Sequence, residues 1–162
     1  MRHINKTQIF IGVVVLFLGS IIYLVDRPPE QTHFVKSSPV KITLFNTIPN
    51  VFGSIGGSLP ECIHVFSFIL ITAGLLFSNR RGYLIICLSW FLLDAAFEVG
   101  QYFSAWSSKI IPDWFTRVPF METTKSYFLH GTFDFIDLAA IGFGTMIAYV
   151  VLLTTQKRRA LV

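Results

Sequence analysis

Asp94, Glu98 and Gln101 stand in the stretch DAAFEVGQ, directly behind the apolar run YLIICLSWFLL. Carboxylates and amides accept hydrogen bonds, hold cations and exchange protons. A charged carboxylate at the centre of a membrane-spanning helix costs about 2.5–3.5 kcal/mol, so such groups need a sheltered setting. Their spacing supplies one. With about 100° of turn per residue, Glu98 falls about 40° from Asp94 and Gln101 about 20° the other way, so all three share one helix face. In a helix starting at Tyr83, Asp94 lies about 16 Å in, near the midplane, and Glu98 about 6 Å from the outer end. That face must point into protein.

Partners for it come from two other apolar segments. His64 and Asp137 each lie about one turn inside their segment, at the depth expected of Glu98 and Gln101. The predicted polar group is therefore His64, Glu98, Gln101 and Asp137, with Asp94 beneath it. As interhelical hydrogen bonds these groups contribute about 1 kcal/mol each, and that structural account suits His64 and Asp137. Glu98 with Gln101 reads instead as a functional pair, because ionisable groups inside spans usually mark function; for Asp94 the two accounts balance. One His and two carboxylates on three helices lack a compact ligand motif such as H-E-x-x-H, so neither a metal nor another cofactor is expected. Cys62 and Cys87 lie near opposite membrane faces and make neither a disulfide nor a zinc motif. Glu61, in the S-x-x-E capping box Ser58-Leu59-Pro60-Glu61, reads as a helix cap, and so does Asp134.

The elements that must position these residues follow from composition. The chain has 162 residues, 53% of them hydrophobic and 17 of them Phe, with a mean hydropathy of +0.64. A water-soluble domain of this size has no interior large enough for so much apolar surface. Four segments are apolar for long enough, or nearly so, to cross a bilayer. The expected fold is all-α, a polytopic membrane bundle of four transmembrane helices at about 7–25, 60–78, 83–103 and 134–154, with outer loops at about 26–59 and 104–133; residues 1–162 form a single membrane domain. On the last helix Ala140, Gly144 and Ala148 form a small-residue stripe that lets a neighbouring helix approach closely.

Arg2 and Lys6, Arg80 and Arg81, and Lys157, Arg158 and Arg159 fall on one side of this layout with no acid beside them. The positive-inside rule then places both termini in the cytoplasm. The net charge of +4 reports topology and not nucleic-acid binding. The first helix is long for a secretory signal, and IIYLVDRPP offers no small-residue cleavage site, so it reads as an uncleaved anchor. In the first outer loop, VKITLF alternates apolar and polar residues, as a short strand or an interfacial segment does. The second interleaves Trp106, Trp114, Phe115, Phe120, Tyr127 and Phe128 with Lys109, Asp113, Arg117, Glu122 and Lys125, a mixture suited to the boundary between membrane and water.

At these same positions the sequence resembles the VanZ-like family of small bacterial membrane proteins, from about Pro60 to Val151. LPECIHVFSF is similar to the family's D-K-x-x-H-F-x-x-Y pattern, keeping His64 and showing Pro60, Glu61, Val65 and Phe68 at the Asp, Lys, Phe and Tyr positions. FEVGQYF matches E-x-x-Q through Glu98 and Gln101. GTFDFIDLAAIGFG resembles R-x-x-D-x-x-D-x-x-x-N-x-x-G, keeping Asp137 and Gly144 with Ile141 at the Asn position; His130 is the residue nearest the missing Arg that can carry a positive charge. The resemblance implies a cell-envelope setting in the inner (cytoplasmic) membrane.

The sequence thus leads to an envelope protein whose partners are membrane lipids, a lipid-linked cell-wall precursor or a partner membrane protein, bound at an outer-leaflet polar pocket. The alternative is a membrane-embedded hydrolase or transferase in which Glu98 or Asp137 acts with His64 on a lipid-linked substrate. A proton or ion pathway through Asp94, Glu98 and Gln101 ranks last, because the inner half of that helix offers only Cys87 and Ser89 to continue it.

Overall fold

The computed structural model describes residues 4–26, 53–76, 79–118, 121–122 and 124–156; VKITLF lies outside them. Helix α1 runs Lys6–Asp26, α2 Leu59–Leu76, α3 Arg80–Tyr102, α4 Ser104–Ile110, α5 Thr124–His130 and α6 Phe135–Thr154. Short 3-10 turns at Gly53–Gly57 and Asp113–Arg117 complete the described secondary structure, which contains no strand. Three helices, α2, α3 and α6, are long and apolar enough to cross a bilayer, which points to a membrane protein. At 1.5 Å per residue α3 is about 34 Å long, against a hydrocarbon core of about 30 Å. Helix α1 carries a shorter apolar stretch, Lys6–Ile22.

Local sequence sets the helix starts. The Asn79 side chain accepts a hydrogen bond from the Gly82 amide at 2.9 Å, capping α3, and Asp134 accepts from the Ile136 amide at 2.8 Å, capping α6. Each satisfies an amide that the first turn leaves without a partner. Helix α2 begins just after Ser58, whose carbonyl accepts from the Cys62 amide at 3.5 Å.

Helix α2 is the centre of the bundle. Its apolar window is 44% buried, against 22% in α3 and in α6. It packs on α1, α6 and α3, and α3 also packs on α6. Val65, Ile69, Leu70 and Ala73 of α2 meet Tyr83 and Ile86 of α3 and Ile141, Ala148 and Leu152 of α6 in one buried cluster. Gly144 makes the α2–α6 approach possible. A Cβ there would press into the Cys62 carbonyl and lie 2.8 Å from the Val65 side chain. Ala148, one turn on, is fully buried, and Ala140, one turn before, is partly buried.

A polar knot ties the helices at one end. The Asn5 amide donates to the Gly74 carbonyl at 2.9 Å, and its side chain donates to the Thr155 carbonyl at 3.1 Å. Gln8 Nε2 donates to the Tyr83 hydroxyl and to Thr155 Oγ1, both at 3.1 Å. The start of α1, the end of α2, the start of α3 and the end of α6 therefore meet. Arg80 and Arg81 are exposed at this end, as is Lys6.

Candidate functional site

Toward the opposite end lie His64 and the carboxylates Asp94 and Glu98, arranged in two tiers along α3. The lower tier is built on a stripe of α2 at spacing four, His64, Phe68 and Thr72, which faces α3. Thr72 Oγ1 accepts from Trp90 Nε1 at 3.1 Å. Phe68 stacks on Trp90 with ring centroids 4.9 Å apart, and His64 meets Phe68 edge-on at 4.5 Å. This seam brings His64 Nδ1 to 3.4 Å from Asp94 Oδ2. The Asp94 side chain is 10% exposed and that of His64 is 44% exposed. The carboxylate is thus set inside the bundle and the imidazole opens outward.

The upper tier is anchored by Glu98, only 4% exposed. Its Oε1 accepts from the Asp134 amide at 2.8 Å, so a side chain of α3 also holds the start of α6. Its Oε2 accepts from Gln101 Nε2 at 3.2 Å, and the same Gln101 nitrogen donates to the Tyr127 hydroxyl at 2.6 Å. Gly131 makes room for that amide, since a Cβ there would collide with the Gln101 side chain. Burial, with the negative charges of Glu61 and Glu98, holds the Tyr127 pKa well above the ordinary phenol value. Tyr127 therefore stays protonated and can donate.

Asp137 lies beside this tier. Its charge acts on Glu98 together with those of Glu61 and Asp134, but its side chain makes no hydrogen bond among the described residues. The five predicted site residues do gather at one end of the bundle, yet they divide. His64 pairs with Asp94, about one turn deeper than the level of Glu98 and Gln101. The reason is length: α3 has 23 residues and α2 has 18. Measured from their neighbouring ends at Leu76 and Arg80, His64 stands about 18 Å along, Asp94 about 21 Å and Glu98 about 27 Å.

Sequence reasoning missed Tyr127 as a member of the site, although it named the aromatic loop that carries it. It also missed the Asp134 amide, a backbone donor that no side-chain motif announces. The knot of Asn5, Gln8, Tyr83 and Thr155 was not anticipated; its signal in the sequence is Gln8, a polar residue just inside an apolar helix. Gln8 is fully buried, and its Oε1 has no partner among the described residues. Cys62 and Cys87 are free thiols. No group of three or more His, Cys, Asp or Glu among the described residues is arranged to hold a metal ion.

The site can present an oriented imidazole toward the outside of the bundle, backed by a carboxylate, with further carboxylate, amide and phenol groups one turn above. No family model, curated protein or solved structure matches the chain.

Proposed function

We propose that the chain is a small VanZ-like multi-pass protein of the bacterial inner membrane, with α1 as a fourth span and both termini cytoplasmic. In this reading its outer-leaflet polar site binds a lipid, a lipid-linked envelope precursor or a partner membrane protein. The gathering of Lys6, Arg80 and Arg81 at the end opposite the acids supports the orientation.

The observation that carries binding is the 44% exposure of the His64 side chain, about 8 Å inside the end of α2 by its rise per residue. With Nδ1 on Asp94, the second ring nitrogen, Nε2, has no hydrogen-bond partner among the described residues, a costly state for a polar atom turned toward hydrocarbon. A lipid's polar portion at that depth would satisfy it, while Asp94 holds the ring in place. The acids around it narrow the occupant. With Asp94, Glu98, Asp134 and Asp137 at the same end, a donor-rich group such as an amine or a sugar hydroxyl fits better than a bare phosphate.

The test is co-purification of lipid with the full chain and with His64→Ala, read by mass spectrometry. His64→Ala is the suitable variant because the ring is half exposed, whereas Glu98 also holds α6. Loss of a stoichiometric lipid in His64→Ala, with a cooperative thermal transition retained at a modestly lower temperature, is the expected result; an unchanged lipid complement would reject the site.

The Asp94–His64 geometry also favours the second reading, a hydrolase or transferase acting on a lipid-linked substrate. With Asp94 on Nδ1, the tautomer is set so that Nε2 can accept a proton from a hydroxyl or water. Turnover of a lipid-linked substrate that disappears in both Asp94→Asn and His64→Ala would support it.

A further inference from the structure

Helix α4, the first helix of the connection between α3 and α6, buries hydroxyls and exposes large apolar side chains beside Lys109. In α4, Ser107 and Ser108 are 8% and 7% exposed, whereas Trp106 and Ile110 are 67% and 55% exposed. The buried hydroxyls find local acceptors, the Gly100 carbonyl at 2.8 Å and the Ala105 carbonyl at 3.2 Å. In water the hydrophobic effect selects the reverse arrangement. Helix α5 has the ordinary polarity. It buries Phe128 and exposes Lys125, Ser126 and His130 beside a single large apolar residue, Leu129.

The outward face of α4 is continuous with a surface that already faces lipid in a membrane protein. Tyr102 and Phe103, at the end of α3, have ring centroids 4.9 Å apart. Tyr102 meets Phe133 at 5.7 Å, and Phe133 meets Phe135 at the start of α6 at 4.7 Å. Tyr102, Phe103 and Phe135 are exposed. Such a collar is the aromatic belt of a bilayer boundary. Trp114 is exposed on the next turn beside Asp113 and Arg117, where an amphipathic ring meets charged groups.

We propose that α4 and the Trp114 turn form a membrane-embedded roof, with α4 seated at the boundary between headgroups and acyl chains of the leaflet at the Tyr102 end, and with α5 facing water. The partner of this surface is the lipid bilayer itself. The roof packs on α5, which carries Tyr127, so it also shields the upper tier and leaves the His64 side of the α2–α3 seam as the polar opening. This assignment concerns a different face from the lipid site at His64 and stands without it.

The test uses the full chain in phosphatidylcholine vesicles. The protein has three Trp, so Trp90→Phe with Trp114→Phe leaves Trp106 as the reporter. Its emission should be quenched more by bromines near the headgroup end of the acyl chain than by bromines near the terminal methyl. It should also resist iodide equilibrated on both sides of the membrane. Full iodide quenching without a bromine effect would place α4 in water and overturn the roof. Stronger quenching by the deep bromines would overturn the boundary placement, and protection from both quenchers would mean that protein, such as a second copy, covers the face. A second measurement needs only one exposed substitution: Trp106→Phe in the otherwise unchanged chain should remove part of the shallow-bromine quenching. Identical quenching with and without Trp106 overturns the proposal even if the doubly substituted chain fails to fold.

Discussion

His64 Nδ1 and Asp94 Oδ2 meet 3.4 Å apart across the α2–α3 seam, a pairing of two ionisable side chains from different long helices. It joins the central helix of the bundle to the least apolar of the three candidate spans. Polar contacts of this kind between membrane helices contribute about 0.6–2 kcal/mol. A double-mutant cycle of His64→Ala and Asp94→Ala, followed by reversible unfolding in mixed micelles, should give a coupling energy in that range. Additive effects would mean that the two side chains do not support one another.

Gly144 and Gly142 lie on the same helix and meet different surroundings. Gly144 faces the Cys62 backbone, whereas a Cβ on Gly142 would meet only the Phe91 ring at 3.9 Å. Gly144→Ala should therefore destabilise the fold by about 1–3 kcal/mol through overpacking. Gly142→Ala should leave it unchanged or stabilise it by up to about 1 kcal/mol through the better helix propensity of Ala. Thermal unfolding of the two variants in one detergent checks the order; equal transitions would mean that α2 and α6 do not approach closely at Gly144.

The helices and the face shared by Asp94, Glu98 and Gln101 were legible because both depend on periodicity within one segment. Hydropathy located α2, α3 and α6 to within about three residues at each end. The level at which His64 meets α3 was not legible. It depends on the relative lengths of two helices and on where each one ends, and a slide of one turn changes every partner. The same limit applies to Glu98. Its spacing to Gln101 predicted that they share a face, and the structure has them hydrogen bonded, but its second partner is the Asp134 amide, 36 residues away. Tyr127 escaped for a related reason: α5 reaches the site only because Phe128 packs beside Gly100 and stacks on Phe97.

Glu98 accepts from two donors at once, Gln101 Nε2 on its own helix and the Asp134 amide, which separates its conservative and truncating variants. Glu98→Gln keeps an oxygen for the Asp134 amide. Glu98→Ala leaves that amide and Gln101 Nε2 without this partner, at a cost of about 1–3 kcal/mol for an unsatisfied buried group. Hydrogen exchange at the Asp134 amide should rise in Glu98→Ala and stay near the parent rate in Glu98→Gln. Similar protection in all three proteins would show that Glu98 does not hold the start of α6.

Tyr127 supplies a pH signature for the upper tier. Burial and the neighbouring carboxylates raise its pKa in the folded protein well above the ordinary phenol value. Raising a folded-state pKa means that the stabilisation is fully present below the unfolded value and drains away as pH climbs through the folded one. Above about pH 10 an unfolded Tyr loses its proton while the folded one keeps it, so the unfolded state gains. The parent protein should lose stability from that pH upward, and Tyr127→Phe, with no proton to lose, should show a shallower decline over the same interval. At neutral pH the variant should be weaker by about 1 kcal/mol, from loss of the hydrogen bond with Gln101. Melting curves of both proteins from pH 7 to pH 11 provide the check, and parallel declines above pH 10 would remove Tyr127 as the source of the alkaline sensitivity.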